Sequence, residues 1–268
     1  MMNILSPGQI LAFFKEQSFW SFDQLSHVSG IAVSDLKEMA IDLNQMDENF
    51  FIHADGIGVN YPIDVIPVNE ISWHKDHVYH FISLPSTNDF LKDHIHKDHL
   101  TLCVTEHQSH GRGQFQRSWH SPLGQNIMFS IGSMWNASLT QLSQLNLALA
   151  VMVVNGLKVM DLDQGIVIKS PNDLMLDGKK LGGILVELIS RGDCHQVIMG
   201  VGLNVNMQSC YNFIDQPWVS LASYHQRTID RLSLINEILD ACLLGWEMFL
   251  ENGFDFFKDQ WLRLQVKE

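Results

Sequence analysis

Apolar residues fall into two regimes along this chain. Up to about residue 65 they come in short clusters divided by polar and turn residues. Ile10, Leu11, Phe13 and Phe14 predict a first helix, and Phe22-Asp-Gln-Leu-Ser-His-Val28 a second. Gly30 supplies a turn, and Ser34 stands as N-cap to a third helix from Asp35 to Asn44. Phe50 to His53 and Gly58 to Tyr61 flank Ala54-Asp-Gly-Ile, the pattern of a β-hairpin turning at Asp-Gly. Pro62 and Pro67 then bracket a short connection.

Beyond that point strands mix with helices. Val78–Leu84, Leu100–Glu106, Asn126–Ser130, Ile166–Ile168, Gly183–Ile189 and Gln196–Val205 read as strands. Ser86-Thr-Asn88 caps a helix over Asp89–Ile95. Ser143–Lys158 is apolar nearly all round and predicts a buried helix, and Ser233–Glu251 is amphipathic. Neighbouring strands joined by turns such as Asp177-Gly178 and Arg191-Gly-Asp193 favour α+β: a mixed β-sheet with helices packed on one face. The expected division is a small unit over 1–65 and a larger domain over 66–268.

Composition narrows the class. The 268 residues are 46% apolar and carry a net charge of −13, which argues against sequence-independent attraction to nucleic acid or anionic lipid. The longest apolar run, Leu147–Val154, is far short of the roughly 18 residues a membrane span requires. Met1–Ile10 lacks the basic and apolar regions of a signal peptide. Cys103, Cys194, Cys210 and Cys242 are scattered without a CxxC, which suits a reducing cytoplasm.

Against this acidic background, three constellations stand out. In Thr105-Glu-His-Gln-Ser-His-Gly-Arg-Gly-Gln-Phe-Gln-Arg-Ser-Trp119, Gly111 and Gly113 flank Arg112 so that backbone can approach a ligand while the guanidinium grips an anion. Arg117 adds a second cation, and after Glu106 no acid occurs until Asp161. Taken alone, the stretch reads equally well as a surface loop with two solvated arginines. Ile168-Lys-Ser-Pro-Asn-Asp173 sends a lysine out of a buried strand into a turn, and by itself that lysine reads better as a solvated edge residue. Asp177-Gly-Lys-Lys-Leu-Gly-Gly-Ile-Leu-Val-Glu187 and Gly200-Val-Gly-Leu-Asn-Val-Asn206 place glycines in strands where something packs against backbone.

Taken in order with Ser86-Thr-Asn88, these motifs resemble the catalytic domain of biotin protein ligases over roughly residues 78 to 210. Residues 1–65 resemble the winged helix-turn-helix of that family's ligase–repressors. The resemblance implies a class II synthetase-like catalytic domain that activates biotin with ATP and passes it to a lysine of a biotin carboxyl carrier protein domain of acetyl-CoA carboxylase. By position, Ser86, Thr87, Asn88 and Gln108 belong to the biotin ring site, with Gly111 and Arg112 lining it. Leu174, Gly182 and Gly183 shape an apolar trough. Lys169 contacts the biotin carboxylate and the α-phosphate. Arg117 binds phosphate, and Gln114, Trp119, Asn172 and Asn204 stand at adenylate positions. Lys169, Arg112 and Arg117 are thus the expected catalytic cations. Mg²⁺ is expected at the departing pyrophosphate, with no protein metal ligand assigned.

The chain also departs from the family. Gln114, Phe115 and Gln116 stand where Arg, a variable residue and Gly are usual, and Ser170 replaces a tryptophan. The sequence stops soon after Trp261, where relatives continue into a small barrel. Residues 1–65 hold two cations and nine acids, a net of −7, so the third helix is expected not to bind DNA. His94, His96 and His99 would lie on different faces of one helix and read as surface residues rather than a metal site. Two alternatives stay open: a non-catalytic biotin- or adenylate-binding regulator, and a lipoate or octanoate ligase. A homodimer is also left open.

Overall fold

A computed structural model describes residues 8–73, 77–136, 144–191, 194–208, 214 and 216–266. The chain forms two compact units. One runs to Ile66 and also takes in Pro122–Gln125; the other holds Pro67–Ser121 and everything from Asn126.

In the first unit, helix α1 (Gly8–Leu11) runs into a 3-10 turn at Ala12–Phe14. Strand β1 (Phe19–Ser21) leads into α2 (Phe22–Ser29), whose start is fixed by a reciprocal Ser21–Gln24 capping box and whose end is Gly30 at φ 72°. Helix α3 (Val33–Met46) buries Leu36, Met39, Ala40 and Leu43, the i, i+3, i+4, i+7 stripe of an amphipathic helix. Strands β2 (Phe50–His53) and β3 (Gly56–Val59) complete a sheet in the order β1-β3-β2. Buried Asp47 accepts the backbone N–H of Asn49 at 2.8 Å and that of Leu123 at 2.6 Å. Burial pushes its carboxyl up, and the two N–H donors oppose the rise.

The second unit is built on a seven-stranded sheet, β4-β5-β6-β10-β9-β8-β7. Its strands are β4 (His77–Phe81), β5 (Thr101–Thr105), β6 (Ile127–Trp135), β7 (Ile166–Lys169), β8 (Asp173–Leu176), β9 (Lys179–Arg191) and β10 (Cys194–Leu203). Among these described strands β4 and β5 run parallel and the other pairs antiparallel. Side chains alternate between the sheet's faces. Leu102, Val104, Phe129, Ile131, Val197 and Met199 are buried on the side where Trp135 packs edge-on against Trp246 and Phe249. Trp246 and Phe249 belong to α7 (Arg231–Asn252), which crosses the apolar α5 (Leu145–Val159) so closely that a Cβ on Gly156 would come within 2.5 Å of Ile238 Cα. On the opposite face sits the short α4 (Thr87–Leu91). Helices α6 (Leu221–His225) and α8 (Asp255–Leu264) follow in sequence on either side of α7.

Several expectations change in detail. Helix α3 begins at Val33 with Ala32 as N-cap, so Ser34 lies inside it and caps nothing. The hairpin turns at Ala54-Asp55, and its second strand starts at Gly56, where the absence of a Cβ admits the Phe19 ring and Trp20 backbone. Helix α4 stops at Leu91, which leaves His94, His96 and His99 outside any helix; His96 stacks on His77 at 3.5 Å. Ser143 and Cys210 lie outside the described residues.

Candidate active site

Ser86 caps α4, and the chain beside it is zipped to the segment following β5: Leu84 N–H donates to His107 O, Ser109 N–H to Leu84 O, and His110 N–H to Pro85 O. This pairing brings Gln108 against Thr87. The Gln108 Oε1 accepts the Thr87 N–H at 2.9 Å, and the Thr87 hydroxyl lies 3.2 Å away. Asn88 reaches across the sheet, donating to Glu187 at 2.8 Å and to Leu185 O at 3.3 Å. It fits because residue 200 is glycine: a Cβ there would collide with the Asn88 amide.

The Gly-Arg stretch is a small hairpin. Trp119 N–H donates to Gly111 O at 2.8 Å, Gly113 N–H to Arg117 O at 2.7 Å, and Arg112 bridges Ser118. Phe115 sits at its tip with φ 56° and is 87% exposed. The hairpin lays the Trp119 indole on Gly202, where a Cβ would approach to 2.6 Å. Both glycines of the Gly200-Val-Gly motif thus have a steric reason: one admits Asn88, the other Trp119.

Between these parts opens a cleft that encloses about 450 Å³ of empty space, counting the solvent at its open mouth. Its wall includes Ser86, Thr87, Asn88, Gln108, Arg112, Trp119, Asn172 and Gly183 among the expected residues. Gly111, Leu174, Gly182 and Asn204 do not line the cleft; Leu174 and Gly182 lie in β8 and β9, and Asn204 directly follows β10. Gln114 and Arg117 stand on the hairpin outside the wall, and Lys169 is exposed at the β7–β8 turn, in register with Asp173.

The lysine on the wall is one that sequence reasoning did not single out. Lys180 pairs with Asp173 at 2.8 Å and lies 5.9 Å over the Trp119 ring. Arg112 is held by Asp89, with Glu187 at 3.8 Å, and Lys92 shares both carboxylates at 2.7 and 3.2 Å. The Nε atoms of Arg112 and Trp119 are buried without a hydrogen-bond partner among the described residues. Behind the site, fully buried Arg231 meets fully buried Glu106 at 2.7 Å and donates to Asn126 O, which ties the start of α7 to the end of β5. Burial pushes His107 down to about 4; burial and then the neighbouring His107 do the same to His120.

Residues 80–204 match the model of the biotin/lipoate A/B protein ligase family. The chain is 27% identical over 276 residues to the bifunctional ligase/repressor BirA of Salmonella typhimurium, covering 98% of this chain and 84% of that one. With BirA of Bacillus spizizenii it shares 36% identity over 167 residues, 60% of this chain and 50% of the other. The biotin protein ligase from Aquifex aeolicus, solved in complex with biotin and ATP, superposes with a TM-score of 0.61 at 26% identity, over 71% of this chain and 79% of that one. In sequence and in fold the chain is similar to biotin protein ligases. The cleft between α4, the Gly-Arg hairpin and the β9–β10 glycines is the candidate active site.

Proposed function

We propose that the chain joins biotin to ATP as biotinyl-5′-AMP, releasing pyrophosphate, and then transfers the biotinyl group to a lysine of a biotin carboxyl carrier protein domain. The observation that carries this reading is the cleft itself. Polar groups on Ser86, Thr87, Asn88 and Gln108 suit a ureido ring, and a glycine floor beneath Trp119 suits a flat apolar body. Arg112 and Lys180 stand on the same wall.

In the first half-reaction the biotin carboxylate attacks the α-phosphorus of ATP, and the bond to pyrophosphate breaks. Two anions must meet, so cations placed beforehand lower the barrier. Lys180 is in place on the wall, and Lys169 and Arg117, which lie outside the wall, stand at family positions from which they would act at the rim. The buried, unpartnered N–H groups of Trp119 and Arg112 suit an anionic nucleotide. Mg²⁺ would enter with the phosphates and neutralise the leaving pyrophosphate, held mainly by phosphate and water oxygens. In the second half-reaction a carrier lysine attacks the mixed-anhydride carbonyl and AMP departs. We assign this work to the cytoplasm, where ATP is supplied and which suits the scattered cysteines.

The test is biotin-dependent pyrophosphate release from ATP, with and without a biotin carrier domain. Release that needs biotin and accelerates with carrier is expected. Biotin bound without turnover would instead indicate a regulator, and release driven by octanoate or lipoate would reassign the substrate.

A further inference from the structure

Two carboxylates hold the Arg112 guanidinium, and neither of them lines the cleft. Both act on Nη2: Asp89 in close contact and Glu187 at 3.8 Å. Glu187 is pinned in turn by Asn88, whose Nδ2 donates to it at 2.8 Å. Arg112 itself stands on the cleft wall, and its Nε is buried with no hydrogen-bond partner among the described residues. A buried N–H in that state fits a partner brought by the cleft's occupant, and a guanidinium bonds most strongly to an anion. One cation between two carboxylates is nonetheless a poor host for a third negative group. The other cation on the wall, Lys180, does not redress the balance, because it is paired with Asp173 at 2.8 Å. The missing positive charge comes from Lys92, three residues after Asp89 at the end of α4 and off the cleft wall. Its Nζ lies 2.7 Å from Asp89 and 3.2 Å from Glu187, so two cations meet two carboxylates.

We propose that Lys92 is a positioning residue for an anionic group at Arg112. By neutralising Asp89 and Glu187 it leaves the guanidinium free to attract a carboxylate or phosphate in the cleft, and so favours a charged ligand over a neutral one of the same shape. The inference rests on the reading of the cleft as a site for biotin and ATP, which carry a carboxylate and phosphates. Lys92 acts through the two carboxylates and touches no ligand. Without it, one cation faces two carboxylates, and the cluster turns net negative beside the place where the anion must sit.

Calorimetric titration of the full chain with two ligand pairs tests this: biotin against its uncharged alcohol biotinol, and ATP against uncharged adenosine. Lys92→Met should weaken binding of at least one anionic ligand by roughly three- to tenfold, the effect of one partly screened charge, and leave its neutral counterpart unchanged. A loss for biotin and not biotinol puts the carboxylate at Arg112; a loss for ATP and not adenosine puts a phosphate there. Added salt should shrink the loss. Lys92→Arg should bind as wild type does, and Lys92→Gln serves if thermal melting shows that Lys92→Met does not fold. The double variant Asp89→Asn/Lys92→Met again matches one cation to one carboxylate and should recover most of the loss, which a merely structural role for Lys92 would not produce. Equal losses for charged and neutral ligands, no loss for either anion, or a double variant that binds more weakly than Lys92→Met would overturn the assignment. Wild type that binds neither biotin nor ATP would overturn the functional reading and this inference with it; the other adverse outcomes, in a wild type that binds biotin, would overturn the role of Lys92 alone.

Discussion

Helix α3 and the Gly-Arg hairpin are the two places where this chain would be expected to meet a polyanion, and they carry opposite charge. On α3 the outward residues include Glu38 and Asp42, and Lys37 lies over the Phe22 ring at 5.7 Å. Its inner face is nonetheless the complete apolar stripe the fold requires. The hairpin is the reverse: Glu106 before it is buried against Arg231, and no acid follows until Asp161. Core pattern and surface charge have therefore separated within one molecule. A helix can keep its inward residues, and so its shape, while its outward residues no longer suit a phosphate backbone. At the cleft, charge and shape still agree.

The contrast can be tested where it is strongest. Lys169→Ala should lower kcat for pyrophosphate release by on the order of a hundredfold or more while biotin affinity changes little, because a cation at the α-phosphate acts mainly in the transition state. Near-normal turnover would remove Lys169 from the chemistry and leave Lys180 as the working lysine. A smaller effect is expected at Gln114, which stands where arginine is usual in the family. Gln114→Arg should slow biotinyl-AMP dissociation by roughly ten- to a hundredfold, since it restores a charge-assisted contact; equal rates in both proteins would show that another group already holds the adenylate.

The pH dependence of stability should also separate the two regions. His107 and His120 are neutral when folded, with values near 4 against an ordinary 6.5. Their contribution is complete above about pH 6.5, where the unfolded chain is also neutral. It falls as the pH drops towards 4, because only the unfolded chain then takes up the protons. Thermal melts of His107→Gln/His120→Gln should accordingly lose less stability than wild type between pH 6.5 and 4; parallel curves would refute it. The smallest effect is a null: fluorescence anisotropy near physiological salt should show no sequence-selective DNA binding by the intact chain. Sub-micromolar selective binding would break the contrast itself.

Much of this architecture was legible in the sequence because hydrophobic periodicity and turn chemistry are local. The buried α5, the Ser86 cap and the strands on both sides of the glycine motifs all follow from neighbours in the chain. What was not legible depends on partners far apart in sequence. Strand β8 is four residues beside a turn and reads as a strand only when β7 and β9 flank it. Arg231 looks like an ordinary residue at a helix start until Glu106 and the Asn126 carbonyl are found around it. Lys180 lies in the Lys-Leu-Gly-Gly motif but was given no role there, because its place on the wall depends on Asp173 and Trp119. Ser130 could have been suspected as a lone hydroxyl in an apolar strand, but its bonding to Thr87 and Asn88 of α4 could not.

The inclusion of Pro122–Gln125 in the first unit has a consequence for how this protein can be taken apart. Leu123 is fully buried, and its N–H ends on the Asp47 carboxylate. That unit is therefore discontinuous in the gene, encoded by its opening stretch and by four codons more than fifty residues downstream. Recombination that exchanged or discarded only the opening stretch would leave those four residues behind, with an apolar side chain and a backbone donor stripped of their surroundings. Swapping this module between relatives should succeed only when residues 122–125 travel with it.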